Sequence, residues 1–254
     1  MSTPIFVAHD VSVHGSFLGD ALQKNRFWAT RGYHGQFLEE YHSESALKNR
    51  LPDKRYNLRY NRFHGTQHAI YKNAFYYQFT GQPHVVKYDL EQNDIITAVS
   101  LPESHHNNSV YLYKGGKSYY DIIADESGLW IIFGRERING SKIHVMKVDH
   151  DVLKVQRIWR LKYDVGYYRN AFIACGVLYL LKDVEGKPTE AVIDATYDFY
   201  TDTYGGEEIG SKTKLKVPFQ RITMLTFYNN PADRRFSFLL AWDNGNLIKY
   251  PILF

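Results

Sequence analysis

Acidic side chains in one short stretch are the first candidates for chemistry. Asp121 lies within residues 119–133, and Asp125 and Glu126 follow it closely. Two neighbouring carboxylates suit general acid–base catalysis or the binding of a hard cation such as Ca2+. The tetrapeptide 125–128, however, has Asp first and Gly last, which is typical of a type I turn between two strands. We therefore expect Asp125 to bond the turn backbone, which leaves Asp121 as the acidic candidate.

The 11 histidines are the second set of residues suited to catalysis or metal binding. His64 with His68, and His105 with His106, are close enough in sequence to be considered as ligand pairs. Successive side chains on a strand point to opposite faces, so the second pair converges only in a loop. We therefore expect surface histidines. The chain has no Gly-x-Ser-x-Gly elbow, phosphate-binding loop or His-Glu-x-x-His motif, and the sequence predicts no enzyme.

Cysteine and asparagine residues mark possible sites of covalent modification. Cys175 is the single cysteine, which excludes an internal disulfide framework and a zinc site built on several thiolates. Two N-glycosylation sequons begin at Asn107 and Asn139, both in polar stretches between apolar ones. They matter only in a secreted protein.

A basic and aromatic stretch, residues 50–62, is the best candidate for a partner-binding surface. It contains Arg55, Tyr56 and Arg59. Arginine and tyrosine are enriched at the energetic centres of protein interfaces. The alternative interpretation is an ordinary solvated loop.

The overall composition is that of a globular protein. The 254 residues are 44% hydrophobic and 23% charged, which excludes disordered and collagen-like chains. The 31 basic and 27 acidic residues give a net charge of +4, too small an excess to predict nucleic-acid binding. No apolar run approaches the roughly 18 residues of a membrane span, so we expect no direct membrane insertion. A secretion signal or anchor would lie outside this chain.

Short alternating apolar stretches, divided by turn residues, position these candidates. Residues 69–78, for instance, predict a strand, a turn at Lys72-Asn73 and a second strand. More than a dozen such stretches and no long helical period predict an all-β chain. Similar units recur roughly every 50 residues, a spacing typical of propeller blades, and five blades fill the chain. A sandwich or barrel stays open on this evidence. Residues 35–60 are charged and poor in strand patterns, and we interpret them as an irregular early blade with a long loop.

Four blocks of sequence carry a specific resemblance. In chain order they are Gly65–Tyr77 with Val86–Leu90, Tyr119–Phe133, Asn170–Tyr179, and Tyr228–Pro231 with Ala241–Gly245 and Tyr250. The second contains Asp-Glu-Ser-Gly-Leu-Trp, and the third reads Asn-Ala-Phe-Ile-Ala-Cys-Gly-Val-Leu-Tyr. Together they resemble the olfactomedin domain family. The resemblance covers about residues 60–254 well and residues 1–59 poorly.

The resemblance implies a fold and a branch of the family. It implies one domain over residues 1–254, an all-β five-bladed β-propeller. The stretch Leu247–Phe254 and the block Phe172–Gly176 are most similar to gliomedin and its invertebrate collagen-containing relatives.

A calcium site in the central channel is also implied by the resemblance. Metal-binding members place ligands at Asp121, Asn170 and Ala171, with a second aspartate before the Tyr-Asn-Pro block. This chain reads Met224–Tyr228 there, so the second carboxylate is missing, and the Leu225 carbonyl with the neighbouring threonine hydroxyl remain as neutral ligands. Because charged ligands set calcium affinity, we expect no cofactor or a weakly held Ca2+. The alternative role of Asp121 and Asn170 is a hydrogen-bond network.

The matching cysteine of the family pairs with one near the start of the domain. That partner corresponds here to about position 1 or before it, so we expect the partner of Cys175 to lie outside this chain. The alternative is a free, buried thiol.

The function implied by the resemblance is an extracellular, non-enzymatic binding module of a cell-adhesion or matrix protein. Its partners would be cell-surface adhesion receptors or matrix proteins, which gliomedin-like relatives cluster. The isolated domain would be a monomer and the intact protein an oligomer. Two alternatives stay open. A propeller glycan hydrolase needs two facing carboxylates about 5–10 Å apart, and Asp121 is the one candidate. An intracellular propeller adaptor is the other.

Overall fold

Five antiparallel sheets make up the protein. The computed structural model describes residues 3–20, 26–135, 140–206, 213–229 and 237–252. We number the sheets as blades, in the order in which their innermost strands occur along the chain.

Each blade is listed from its innermost strand outward. Blade 1 contains β2 (Gly15–Gly19), β3 (Phe27–Arg31), β5 (Phe37–Tyr41) and β6 (Lys54–Asn57). Blade 2 contains β7 (Phe63–Tyr71), β8 (Ala74–Phe79), β9 (His84–Asp89) and β10 (Asp94–Ser100), with β4 (His34–Gly35) on the inner edge of β7. Blade 3 contains β11 (Tyr120–Asp125), β12 (Gly128–Arg135), β13 (Lys142–Val148) and β14 (Val155–Asp164). Blade 4 contains β15 (Asn170–Ala174), β16 (Val177–Val184) and β17 (Lys187–Asp198), which pairs with both β18 (Thr203–Gly205) and β19 (Lys214–Lys216). Blade 5 contains β20 (Ile222–Tyr228), β21 (Ser237–Asp243), β22 (Asn246–Ile252) and β1 (Ile5–His9).

Blade 5 closes the ring by joining both ends of the chain. The N-terminal β1 pairs with the C-terminal β22, from Ile5 opposite Lys249 to His9 opposite Asn246. The indole of Trp242 adds a hydrogen bond of 3.0 Å to the Ser12 carbonyl. The structure therefore confirms the prediction of an all-β, five-bladed propeller.

Turns within the blades follow the predicted chemistry. Lys72 and Asn73 join β7 to β8 with φ angles of 49° and 59°, the left-handed conformation that a tight hairpin requires. Asp89, Asp149 and Asp198 close the third strands of blades 2, 3 and 4, and each carboxylate accepts the backbone N–H groups two and three residues later. The same turn therefore recurs at one position in three successive blades.

The prediction of an irregular early blade with a long loop at residues 35–60 is confirmed in part, because these residues belong to blade 1 and residues 42–53 connect two of its strands. They form β5, a helical turn α1 (Glu44–Lys48) and β6, so blade 1 has four strands. Glu39 pairs with Arg55 and Glu40 with Lys54 across the two strands. Opposite charges stabilise a sheet when they face each other on neighbouring strands, which a search for apolar alternation misses.

The core lies between the blades. Trp28, Trp130 and Trp242, on the second strands of blades 1, 3 and 5, are fully buried. No helix among the described residues is long and apolar enough to cross a membrane.

Candidate site in the central channel

Polar side chains from the innermost strands meet in the centre of the ring. They are buried although they lie in a predominantly apolar protein: Ser16, Thr66, Gln67, Asp121, Asn170, Thr223 and Thr226. Buried polar groups are stable only when they are hydrogen-bonded. Their partners therefore define what this channel is built to do.

A bulge in β7 fills much of the channel. His64 pairs with Gln78 and Ala69 with Tyr76, so the four residues Gly65–His68 face a single residue of β8. Gly65 has φ of 88°, and a Cβ there would lie 2.8 Å from the Ser118 hydroxyl oxygen. The glycine lets the chain leave the sheet at this point and approach its neighbour.

Thr66 connects the bulge to three other blades. Its carbonyl accepts the Ser16 hydroxyl at 2.8 Å, from blade 1. Its N–H donates to the Ser118 hydroxyl at 2.9 Å, just before blade 3. Its own hydroxyl donates to the Thr223 carbonyl at 2.6 Å, in blade 5. The bulge is thus held by direct hydrogen bonds around most of the ring.

Gln67 completes this set of contacts. Its Nε2 donates to Asn170 Oδ1 at 2.6 Å in blade 4, and its Oε1 accepts the Leu225 N–H at 3.2 Å in blade 5. The side chain is only 3% exposed. Both ends of the amide are satisfied, so Gln67 acts as a neutral bridge across the channel.

Asp121 is the acidic member of the channel. It is 1% exposed, and Tyr113 donates to its Oδ2 at 2.6 Å. Its Oδ1 has no hydrogen-bond partner among the described residues. Burial raises the pKa of the Asp121 carboxyl to about 8, although the Tyr113 hydrogen bond opposes the shift. The carboxyl is therefore mostly protonated at neutral pH.

The four residues predicted as calcium ligands do not fit that ion in this arrangement. Asn170 Oδ1 accepts from Gln67 Nε2 and, at 2.9 Å, from the Ala171 N–H. A hydrogen-bond donor thus faces the oxygen that a cation needs. The unpartnered Asp121 Oδ1 is the one feature that a cation would satisfy, but a single protonated carboxyl is a poor match for a divalent charge. The described residues contain no cluster of three acidic, histidine or cysteine side chains.

The buried carboxyl of Asp121 predicts a dependence of stability on pH. Its pKa is 3.8 when unfolded and about 8 when folded, so between these values the folded state holds a proton that the unfolded state has lost. The free energy of unfolding therefore falls as pH rises through this window. We expect Asp121→Asn, which cannot ionise, to melt higher relative to wild type at pH 8 than at pH 5. Thermal melts in EDTA at pH 5, 6.5 and 8 measure this; a constant difference would contradict it.

Asp125 has a structural role, and it is larger than the turn pattern predicts. Its Oδ1 accepts the Ser127 N–H at 2.9 Å, which confirms the turn, and also the Trp130 indole N–H at 2.9 Å. Its Oδ2 accepts the Gly176 N–H at 2.9 Å. The buried carboxylate thus joins blade 3 to the first hairpin of blade 4. Sequence reasoning missed this link because a turn pattern gives no information on distant donors.

A family comparison can be set beside this geometry. The model of the olfactomedin-like domain matches residues 1–254. The chain belongs to the olfactomedin-like family. The match includes residues 1–59, where the sequence blocks are weak.

One sequence relative and one solved structure can be compared with this olfactomedin-like domain. The human adhesion G protein-coupled receptor L1 is 30% identical over 195 residues, which cover 76% of this chain and 13% of the receptor. The chain therefore spans only a small part of that relative. Glutaminyl cyclase from Myxococcus xanthus superposes with a TM-score of 0.54 and 8% identity, over all of this chain and 96% of the enzyme. This second likeness shows a shared fold alone.

The candidate modification sites of the olfactomedin-like domain lie at its surface where they are described. Cys175 is exposed and free among the described residues, so the alternative of a buried thiol is wrong. Desolvation and the neighbouring Glu126 raise the pKa of its thiol to about 11. The Asn107 side chain is exposed, and Asn139 lies outside the described residues.

The predicted partner surface needs one correction. Arg55 and Arg59 are exposed, but Tyr56 is only 4% exposed, and its hydroxyl donates to the Glu40 carboxylate. Tyr56 lies on the inward face of β6, because neighbouring side chains of a strand alternate between faces. It is therefore not available to a partner.

The expectation of surface histidines was also wrong for two of the four considered. His68 is buried against the rings of Phe63, Phe75 and Tyr77, and burial lowers its pKa to about 3. His105 is buried beside Ser141. His68 is therefore neutral at physiological pH.

Proposed function

We propose that this chain is the extracellular, non-enzymatic protein-binding module of a cell-adhesion or matrix protein. The observation that carries the proposal is the match of the whole chain to the olfactomedin-like family, together with its likeness to part of an adhesion receptor. In the finer form suggested by the gliomedin-like blocks, the module docks and clusters cell-surface receptors as part of an oligomer. Its partners are then receptor ectodomains or matrix proteins.

The channel supports a binding role over catalysis. A glycan hydrolase needs two carboxyl groups facing each other across its site. Asp121 is buried with Tyr113, and the other buried polar residues described in the channel, such as Gln67 and Asn170, include no second acid. The likeness to glutaminyl cyclase concerns the fold and carries no activity to this chain.

Staining of intact cells tests the proposed function. The purified domain, displayed as a tetramer, is expected to stain neuronal, muscle or glial cells, and the staining is expected to disappear after protease treatment of the cells. It is expected to survive EDTA, because the neutral amide of Gln67 joins Asn170 to Leu225 by direct hydrogen bonds. A heat-denatured tetramer is the control for adhesion of exposed apolar surface. Absence of staining on every cell type would contradict receptor docking.

A further inference from the structure

A pocket of about 420 Å³ lies between blades 1 and 2. Its walls include Phe37 and Phe63, the first residues of β5 and β7. Three arginines and one carboxylate also line it: Arg31, Arg55, Arg62 and Glu39. Volumes of about 300–1,000 Å³ with apolar walls and a few polar groups are typical of small-ligand sites.

Among the three arginines of the pocket, Arg31 has a structural role. Its Nε donates to Asp10 Oδ2 at 2.7 Å, and its other nitrogens bond Glu39 and the Tyr41 hydroxyl. Its charge is therefore balanced within the domain. The Glu39 carboxylate accepts hydrogen bonds from Arg31 and, at 2.6 Å, from the Tyr41 hydroxyl.

Arg55 and Arg62 keep their donors available. The guanidinium of Arg55 lies over the Phe37 ring at 3.8 Å from its centroid, and its Nε is 3.6 Å from Glu39, beyond hydrogen-bond distance. Its side chain is 56% exposed. Arg62 is exposed and has no side-chain hydrogen bond or ion pair with any residue that the structure describes. The pocket thus carries Arg62, which has no side-chain partner among the described residues, and Arg55, whose one ion-pair partner, Glu39, also bonds Arg31.

We propose that this pocket binds a sulfate- or carboxylate-bearing sugar of an extracellular glycan chain. Guanidinium groups pair with such anions through parallel N–H donors, and Arg55 and Arg62 supply them. The half-buried Phe37 supplies apolar surface for the ring. The volume suits one sugar unit, whereas an acidic peptide needs an extended groove. The proposal rests on the extracellular role proposed above and names a second kind of partner for the same module.

Titration calorimetry with a heparin octasaccharide tests the assignment. Wild type is expected to bind it, and the Arg55→Gln/Arg62→Gln variant is expected to bind at least about tenfold more weakly, since two charge-assisted contacts are lost. The matched control is Arg157→Gln/Arg160→Gln on β14. Arg157 also stacks on an aromatic ring, Trp159, and pairs with a carboxylate, Asp202. Each variant lowers the net charge from +4 by two, to +2, so a pure net-charge effect would weaken both equally.

Two comparison probes separate the sources of the anion. A desulfated octasaccharide of equal length and a hexaglutamate peptide are both expected to bind wild type weakly. Because the desulfated sugar keeps its carboxylates, equal binding of this probe would assign the recognised anion to a carboxylate, and weaker binding would assign it to a sulfate. Tighter binding of the peptide, or equal losses in the two variants, would overturn the proposal. Melting temperatures of both variants establish that they are folded. Cell staining by Arg55→Gln/Arg62→Gln keeps the two proposals apart, because staining without heparin binding leaves protein docking intact.

Discussion

Gln67→Glu is expected to make the stability of the domain depend on Ca2+, while the wild-type melting temperature stays the same in EDTA and in millimolar Ca2+. In wild type the Gln67 Nε2 donates to Asn170 Oδ1, which a carboxylate oxygen cannot do. The glutamate instead adds a second acid to the channel that already holds Asp121. Two carboxyl groups and the Asn170 oxygen form a set of ligands suited to a hard cation.

The expected shifts are large enough to measure by thermal unfolding. Without metal, Gln67→Glu loses the buried hydrogen bond to Asn170 and places a carboxylate oxygen against Asn170 Oδ1. We expect the free energy of unfolding to fall by about 2–4 kcal/mol, which lowers the melting temperature by roughly 5–15 °C in a chain of this size. Calcium at 100 times its dissociation constant restores about 2.7 kcal/mol.

Gln67→Met is the matched control for this channel experiment. It removes the same hydrogen bonds without adding charge, so it is expected to melt lower in both buffers. A rise in the wild-type melting temperature on adding Ca2+ would contradict the prediction, because it would show that the protein binds Ca2+ although the channel is bridged by the neutral Gln67.

Asp125→Ala is expected to cause the largest loss of stability of any single change considered. The substitution leaves the N–H groups of Trp130 and Gly176 buried without an acceptor and opens the contact between blades 3 and 4. Unsatisfied buried donors that lose a charged partner cost about 3–5 kcal/mol together, which corresponds to about 8–16 °C.

Asp198→Ala provides the comparison for Asp125. Asp198 makes the same kind of turn, accepting the Tyr200 N–H at 2.8 Å and the Thr201 N–H at 3.1 Å, but these bonds stay within one exposed turn. We expect a loss of only about 1 kcal/mol, or a few degrees. Similar melting temperatures for the two variants would mean that the link between blades contributes little beyond the turn.

Much of the fold follows from local patterns in the sequence. The Lys72-Asn73 turn and the repeated aspartates act over a few residues, so their geometry can be inferred from neighbours. The strands β5 and β6 of blade 1 could not be inferred in this way, since Glu39 and Glu40 are matched by Arg55 and Lys54 only after the strands have paired. A charged stretch is therefore interpreted as a loop as long as the strand that pairs with it is unknown.

The candidate site was predictable in part. Asp121, Asn170 and Leu225 do face the channel network. Gln67 was missed, although a glycine inside a strand, here Gly65 in β7, is a typical mark of a bulge. The bulge carries the side chain across the ring, over a distance that strand periodicity does not describe. Tyr56 was predicted to face a partner because it lies among arginines. It is instead the one buried residue of β6 and faces inward between exposed neighbours.

The pairing of β1 with β22 bears on how the domain can be cut for expression. A fragment that starts at Gly15, with the first innermost strand, lacks Ile5–His9 and leaves the backbone donors and acceptors along the outer side of β22 open to solvent. An open edge of this kind recruits strands from other molecules. Such a fragment would associate with itself through blade 5, and any binding that it showed would be hard to separate from aggregation. Residues Ile5–His9 are therefore part of the folding unit.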